Sequence, residues 1–279
     1  MPIRLNLPET FAQRLAAAER PLVGLWVCSA SPVMAEIVAG SGVDWVLIDG
    51  EHSPNGIESI LAQLHAVSGY PVAPVVRVPI GDPVIIKQVL DLGAQNLLVP
   101  MVDSAAQAEE LVRAVRYPSA GMRGVGASLA RSSRWNRVPS YLRDASSTIS
   151  LTVQVESAAA VAAVDDIVAV DGVDAIFVGP ADLAASMGRL GDPSHPEVVK
   201  AVVASIAAAR RAGKPAGVNA FVPDEAERYL EAGAAFVAVG ADVALVARAT
   251  EALADRFIGG DRADGAAATS PDAGPRASY

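Results

Sequence analysis

Eight times between residues 22 and 257 the chain passes from a short run of Val, Ile, Leu and Phe into an Ala-rich stretch, and few folds accommodate that rhythm. The apolar runs, 22–29, 45–50, 73–78, 96–101, 150–156, 174–179, 215–220 and 235–240, have the length of buried parallel strands. The stretches 32–41, 56–68, 82–93, 104–117, 158–170, 196–213, 224–233 and 243–257 read as helices. Eight such units closing on themselves make an α/β fold of the (β/α)8 TIM-barrel class. Punctuation agrees: Ser31-Pro32, Asp82-Pro83 and Pro223-Asp224 open helices, and Gly42, Gly93, Gly213 and Gly233 close them. A doubly wound open sheet would place a glycine-rich phosphate turn after its first strand, where this chain has Cys28-Ser29-Ala30-Ser31. One barrel domain is expected over residues 1–257, and the Gly/Ala/Asp/Ser/Pro mixture of 258–279 is expected to be a disordered tail.

Composition removes several function classes. Hydrophobic residues reach 52%, but as Ala and Val in short blocks, none of the ~18 apolar residues a spanning helix needs. The first 21 residues carry scattered charges without the apolar core of a secretory leader, so a cytoplasmic, non-membrane protein is expected. A net charge of -9 argues against a nucleic-acid surface. The richest basic stretch, Arg123 to Arg143, reads instead as a loop near an anionic ligand. It lies within an insertion, 117–143, long enough to be functional, although a covering flap would look the same. The lone Cys28 excludes an intramolecular disulfide and reads as a small strand residue.

Two acids at strand ends are the sharpest chemical signal. In Leu151-Thr152-Val153-Gln154-Val155-Glu156, alternation sends Thr152, Gln154 and Glu156 to one face, which in a barrel is the axis, with Glu156 at the C-terminal mouth. One repeat later Gly179-Pro180-Ala181-Asp182 closes the next strand, bringing Asp182 to the same mouth. Two carboxylates without a Cys/His cage suit Mg²⁺ or a similar ion, while Asp182 could equally be a helix N-cap. Lys87, Lys200 and Lys214 all lie away from that mouth, so Schiff-base chemistry is not expected. Arg77 interrupts an apolar strand and demands an anion or an interior acid. His52 follows Asp49-Gly50-Glu51 at a strand end, as a site residue or a loop histidine balanced by acids. His65 and His195 read as peripheral.

Gly24-Leu25-Trp26, Asp49-Gly50-Glu51-His52-Ser53-Pro54, Arg77-Val78-Pro79, Gly121-Met122-Arg123-Gly124-Val125-Gly126, Gln154-Val155-Glu156 and Gly179-Pro180-Ala181-Asp182-Leu183, in that order, resemble the HpcH/HpaI aldolase family. The resemblance implies a TIM barrel of the phosphoenolpyruvate/pyruvate superfamily and a class II pyruvate aldolase. Such an enzyme cleaves a 4-hydroxy-2-oxo acid to pyruvate and an aldehyde through a metal-held pyruvate enolate. It implies Glu156 and Asp182 as ligands to Mg²⁺, or Mn²⁺ or Co²⁺, Gln154 and Arg77 holding pyruvate, and His52, oriented by Asp49, as acid/base. Trp26 would line the pocket, and the N–H groups of Ala181 and Asp182 would receive the pyruvate carboxylate. Asp91 resembles an acid lent to a neighbouring subunit in a hexamer, a trimer of dimers that exchange their last helix, here 243–257. No nucleotide is implied. Asn219-Ala220-Phe221 and the 117–143 loop are expected at the aldehyde end of the pocket. Rival readings are a lyase of the citrate lyase β-subunit or malyl-CoA type and a non-catalytic carboxylate-binding barrel.

Overall fold

The computed structural model describes residues 3–258. Its strands are β1 (Leu22–Val27), β2 (Trp45–Asp49), β3 (Ala73–Arg77), β4 (Asn96–Val99), β5 (Ser150–Val155), β6 (Ala175–Val178), β7 (Ala216–Asn219) and β8 (Phe236–Ala241). Each pairs in parallel with the next, and β8 returns to β1, so the barrel is closed. Seven fall inside the predicted runs, and β8 extends one residue beyond its own, to Ala241. The helices are α1 (Phe11–Ala17), α2 (Pro32–Ala39), α3 (Ile57–Ala66), α4 (Pro83–Asp91), α5 (Ala105–Val115), α6 (Tyr141–Asp144), α7 (Ala158–Ala162), α8 (Val164–Ala169), α9 (Pro180–Ser186), α10 (Pro196–Arg211), α11 (Pro223–Glu231) and α12 (Asp242–Ile258). Ser31 and Asp82 cap α2 and α4 with their side chains, and the four closing glycines all have positive φ.

Strand alternation divides the core in two. Leu151, Val153, Val155, Ile176 and Val178 face outward into the layer beneath the helices. Trp26, Trp45, Leu47, Val75, Leu98, Phe177 and Phe236 fill the barrel. Two glycines make room for that bulk: a Cβ on Gly24 would overlap the Trp45 indole, and one on Gly217 the Phe236 ring.

Four elements depart from expectation, the short α6 at the end of the 117–143 insertion among them. Helix α1 was not foreseen; it plugs the N-terminal end of the barrel, with Phe11 1% exposed and its N–H donating to Asn96 Oδ1 at 2.6 Å. The expected helix 158–170 divides at Ala163, where Asp165 and Asp166 supply the acidic first turn of a second helix. An extra short helix, α9, begins directly after β6 with Pro180 in its first turn. Its N-cap is Gly179, so Asp182 is its third residue and not a cap. Ile258, expected in the tail, belongs to α12; the rest of the expected tail, 259–279, lies outside the described residues.

Candidate active site

The C-terminal ends of β2 and β3 build the first half of the site. Asp49 and Arg77 are the last inward residues of adjacent, register-matched strands. Arg77, 2% exposed, donates from Nε to Asp49 Oδ1 at 2.7 Å and sets Nη1 2.7 Å from Glu51 Oε2. Its guanidinium lies over the Trp26 ring, 4.2 Å from the centroid, so both its edge and its face are occupied. Asp49 also accepts the backbone N–H of Glu51 at 3.0 Å and of His52 at 3.3 Å, which pins the loop carrying His52. The imidazole points elsewhere: it is mostly exposed, with Nε2 3.8 Å from Glu51 Oε1. Asp49 therefore holds the backbone of His52, and Glu51 stands nearest its ring. Burial pushes the Glu51 carboxyl up despite Arg77.

The second half lies at β5 and β6. Thr152, Gln154 and Glu156 are all buried on the inward face. Glu156 Oε1 accepts the Met101 N–H at 2.7 Å, and Oε2 accepts from Gln154 Nε2. Met101 adopts φ 58°, a left-handed conformation uncommon for a non-glycine residue, and that turn directs its N–H at the carboxylate. Gly179 is needed here for space: a Cβ would sit 3.0 Å from both Gln154 Nε2 and Glu156 Oε2. Asp182 is exposed on the first turn of α9, beside Ala181, where backbone N–H groups have no intrahelical acceptor. Burial, reinforced by the charges of Asp182 and Glu51, pushes the Glu156 carboxyl up to about 7.

That excess of negative charge is what a divalent cation would neutralise, and the oxygen-only donors suit a hard ion. Glu156 and Asp182 therefore fit as ligands. Among the described residues no group of three or more His, Cys, Asp or Glu side chains is gathered to hold an ion alone.

Other expectations find different places. Phe221 meets Trp26 edge-on at the mouth, ring centroids 6.4 Å apart, and the Oδ1 of Asn219 is buried without a partner. Asp91 is at the far end of the barrel, because it closes a helix that runs away from the mouth; Arg123 Nη2 donates to it at 2.9 Å. The 117–143 loop is at that end too. It joins a helix to the next strand, and such connections lie at the N-terminal face, so within its own subunit it does not reach the aldehyde end. Its arginines are used structurally first: Arg123, 1% exposed, stacks on Tyr117 and donates to Tyr141 Oη. Cys28 stands beside Asp49, and burial and the nearby acids push its thiol up to about 12, which leaves it protonated. His195 caps α10 through Nδ1, and His65 is exposed on α3. Sequence reasoning did not single out Glu51 or the Met101 N–H. The first had a signal, an acid inside the Asp49–His52 quartet; the second is a backbone group and had none.

The family model for "HpcH/HpaI aldolase/citrate lyase" matches residues 22–249. A hydroxypyruvate/pyruvate aldolase of Pseudomonas aeruginosa is 53% identical over 266 residues, 95% of this chain and 99% of that protein. A 4-hydroxy-2-oxo-heptane-1,7-dioate aldolase of Shigella sonnei is 54% identical over 240 residues, 86% and 92% of the two chains. The crystal structure of an HpcH/HpaI aldolase/citrate lyase family protein from Burkholderia cenocepacia superposes with a TM-score of 0.84 at 41% identity, covering 88% of this chain and 97% of that one. With its barrel closed, its acids and Arg77 at the strand ends and this likeness along nearly its whole length, the chain belongs to the HpcH/HpaI aldolase/citrate lyase family.

Proposed function

We propose that the chain is a divalent-metal-dependent carbon-carbon lyase that reversibly cleaves a 4-hydroxy-2-oxo acid to pyruvate and an aldehyde. The observation that carries the reading is the buried Glu156, pushed up to about 7, at the mouth that also presents Asp182, Glu51 and Arg77. The names of the relatives, both aldolases of oxo acids, support it. A divalent ion held by Glu156 and Asp182 would supply electron withdrawal from the keto oxygen, acidifying the neighbouring methyl. Gln154 would orient the bound oxo acid through its amide, and the N–H groups of Ala181 and Asp182 would take the carboxylate. Arg77, already rigid between Asp49, Glu51 and Trp26, would stabilise negative charge developing on the substrate oxygen. His52 would carry the proton to and from the aldol hydroxyl, its ring reaching from a loop that Asp49 fixes. Trp26 would wall the pocket.

Assembly belongs to the same reading. Val243, Leu245, Val246, Leu253, Phe257 and Ile258 of α12 are exposed, and only Asp242 of that helix is buried. An apolar helix face left uncovered among the described residues supports exchange between subunits in a homo-hexamer. Asp91 and the 117–143 loop, turned away from their own mouth, would then serve a neighbour's. No described helix is long and apolar enough to cross a membrane, and a cytoplasmic place is part of the proposal.

The test is metal removal and return. Chelated protein given pyruvate or hydroxypyruvate with succinic semialdehyde, glyceraldehyde, lactaldehyde or glycolaldehyde is expected to form no aldol product. Restoring Mg²⁺, Mn²⁺ or Co²⁺ is expected to restore product with at least one aldehyde. No product with any combination removes the reading.

A further inference from the structure

At the end of the barrel opposite the mouth, two guanidinium groups converge on one glycine, with no acid between them among the described residues. Gly93 closes α4 with φ +92°, and a Cβ built on it would lie 2.7 Å from Arg134 Nη1 and 2.9 Å from Arg131 Nη1. Any side chain there would occupy the space between the two cations. Arg131 gives one hydrogen bond to the Leu92 carbonyl at 3.0 Å, and Arg134 one to the carbonyl of Arg131 at 2.5 Å. Neither forms an ion pair among the described residues.

These two side chains line a cavity of about 160 Å³ together with Arg14, Ser68 and Gln95. Glu9 is the single acid on its wall and pairs with none of the three arginines. The turn that delivers Arg134 is itself strained: Arg134, Trp135 and Asn136 have φ of 52°, 54° and 61°, three successive non-glycine residues in the left-handed region. Such a run persists only where its surroundings over-determine it. Burial first, and the adjacent Arg134 second, push the Arg131 guanidinium down to about 10, and burial lowers Arg134 as well. A cation at a helix C-terminus explains Arg131, whose target is the last turn of α4. It does not explain a second cation at the same spot in a chain of net charge -9.

We propose that this cavity is a binding site for a small oxyanion carrying two negative charges, gripped between Arg131 and Arg134. Paired planar forks match phosphate or carboxylate oxygens, and an anion would supply the acceptors that the half-buried guanidiniums lack. The volume admits a free phosphate or a short dicarboxylate and excludes a nucleotide. Neither Arg131 nor Arg134 is assigned a contact with the oxo acid, and anion binding is read without turnover, so failure of this site and failure of the lyase reading are distinguishable.

Calorimetric titration and thermal melting of the full chain with inorganic phosphate, and separately with succinate, test the site at constant ionic strength, with chloride as the control anion. Saturable binding of either is expected, with a rise in Tm that follows mass action. It should weaken about 10-fold or more in Arg131→Gln and in Arg134→Gln, the loss from removing one charge-assisted contact. Which anion binds decides between the phosphate and dicarboxylate sources. Arg134→Lys, which keeps the charge and loses the fork, should fall between. The proposal is overturned if neither anion binds saturably, or if binding is undiminished in both Gln variants, which would put the anion elsewhere. Dissociation of the assembly in Arg134→Gln without anion binding in the parent would also overturn it, since the pair would then receive a neighbour's acid.

Discussion

Each candidate residue is held by groups at the end of a neighbouring strand. Arg77 is rigid because Asp49 and Glu51 flank a loop whose N–H groups Asp49 also holds, and Glu156 is fixed by the left-handed turn at Met101. Gly179 tests this dependence. Its φ of -101° and ψ of 93° suit any residue, so Gly179→Ala should leave folding intact while its Cβ displaces Gln154 and Glu156. A displacement of that kind should lower kcat by about 100-fold. A variant with parental kcat and Tm would show that the Glu156 carboxylate need not be held there. Inward polar residues were legible in the sequence because alternation on β5 and the cost of a buried arginine on β3 are one-dimensional signals. The role of Glu51 and the direction of the His52 ring depend on how a loop folds back over Arg77, which alternation does not encode.

At the scale of elements, the eight strands and the four helix-closing glycines were readable, since each is a local pattern, an apolar run or a left-handed turn. Helix α1 had a local signature as well: Thr10 accepts from the Gln13 N–H at 3.2 Å while Gln13 Oε1 accepts from the Thr10 N–H at 2.8 Å, a capping box spelled Thr-x-x-Gln. What the box did not reveal is that Phe11 becomes the floor of the barrel, its ring 5.1 Å from Phe236 and 5.5 Å from Trp45. Phe11→Ala should therefore cost about 3–5 kcal/mol in chemical denaturation, as for a fully buried aromatic. A loss below 1 kcal/mol would mean that the floor collapses to fill the gap. The 117–143 loop was legible as an irregularity, but composition did not say on which face of its own barrel it lies. Chain order settles its face: a loop from helix to strand belongs to the end away from the mouth.

For the whole molecule, one subunit closes its own barrel, yet among the described residues it leaves the apolar side of α12 uncovered and turns Asp91 away from its own mouth. Both features are satisfied if subunits exchange α12 and share their sites. Leu253→Glu with Phe257→Glu should then reduce the assembled mass in sedimentation velocity; an unchanged mass would show that α12 is not at the interface. The family could be recognised from motif order, whereas assembly could not, because unpartnered apolar surface is a property of the folded chain. In the proposed mechanism Glu156 and Asp182 hold the ion that acidifies bound pyruvate. The most direct measurement of this is exchange of the pyruvate methyl protons in deuterated water, followed by proton NMR with Mg²⁺ or Mn²⁺ present. Exchange is expected to depend on metal and to fall at least ~100-fold in Glu156→Gln, equivalent to about 2.7 kcal/mol of lost transition-state stabilisation. Exchange at the parental rate in Glu156→Gln, or in chelated protein, would contradict the mechanism.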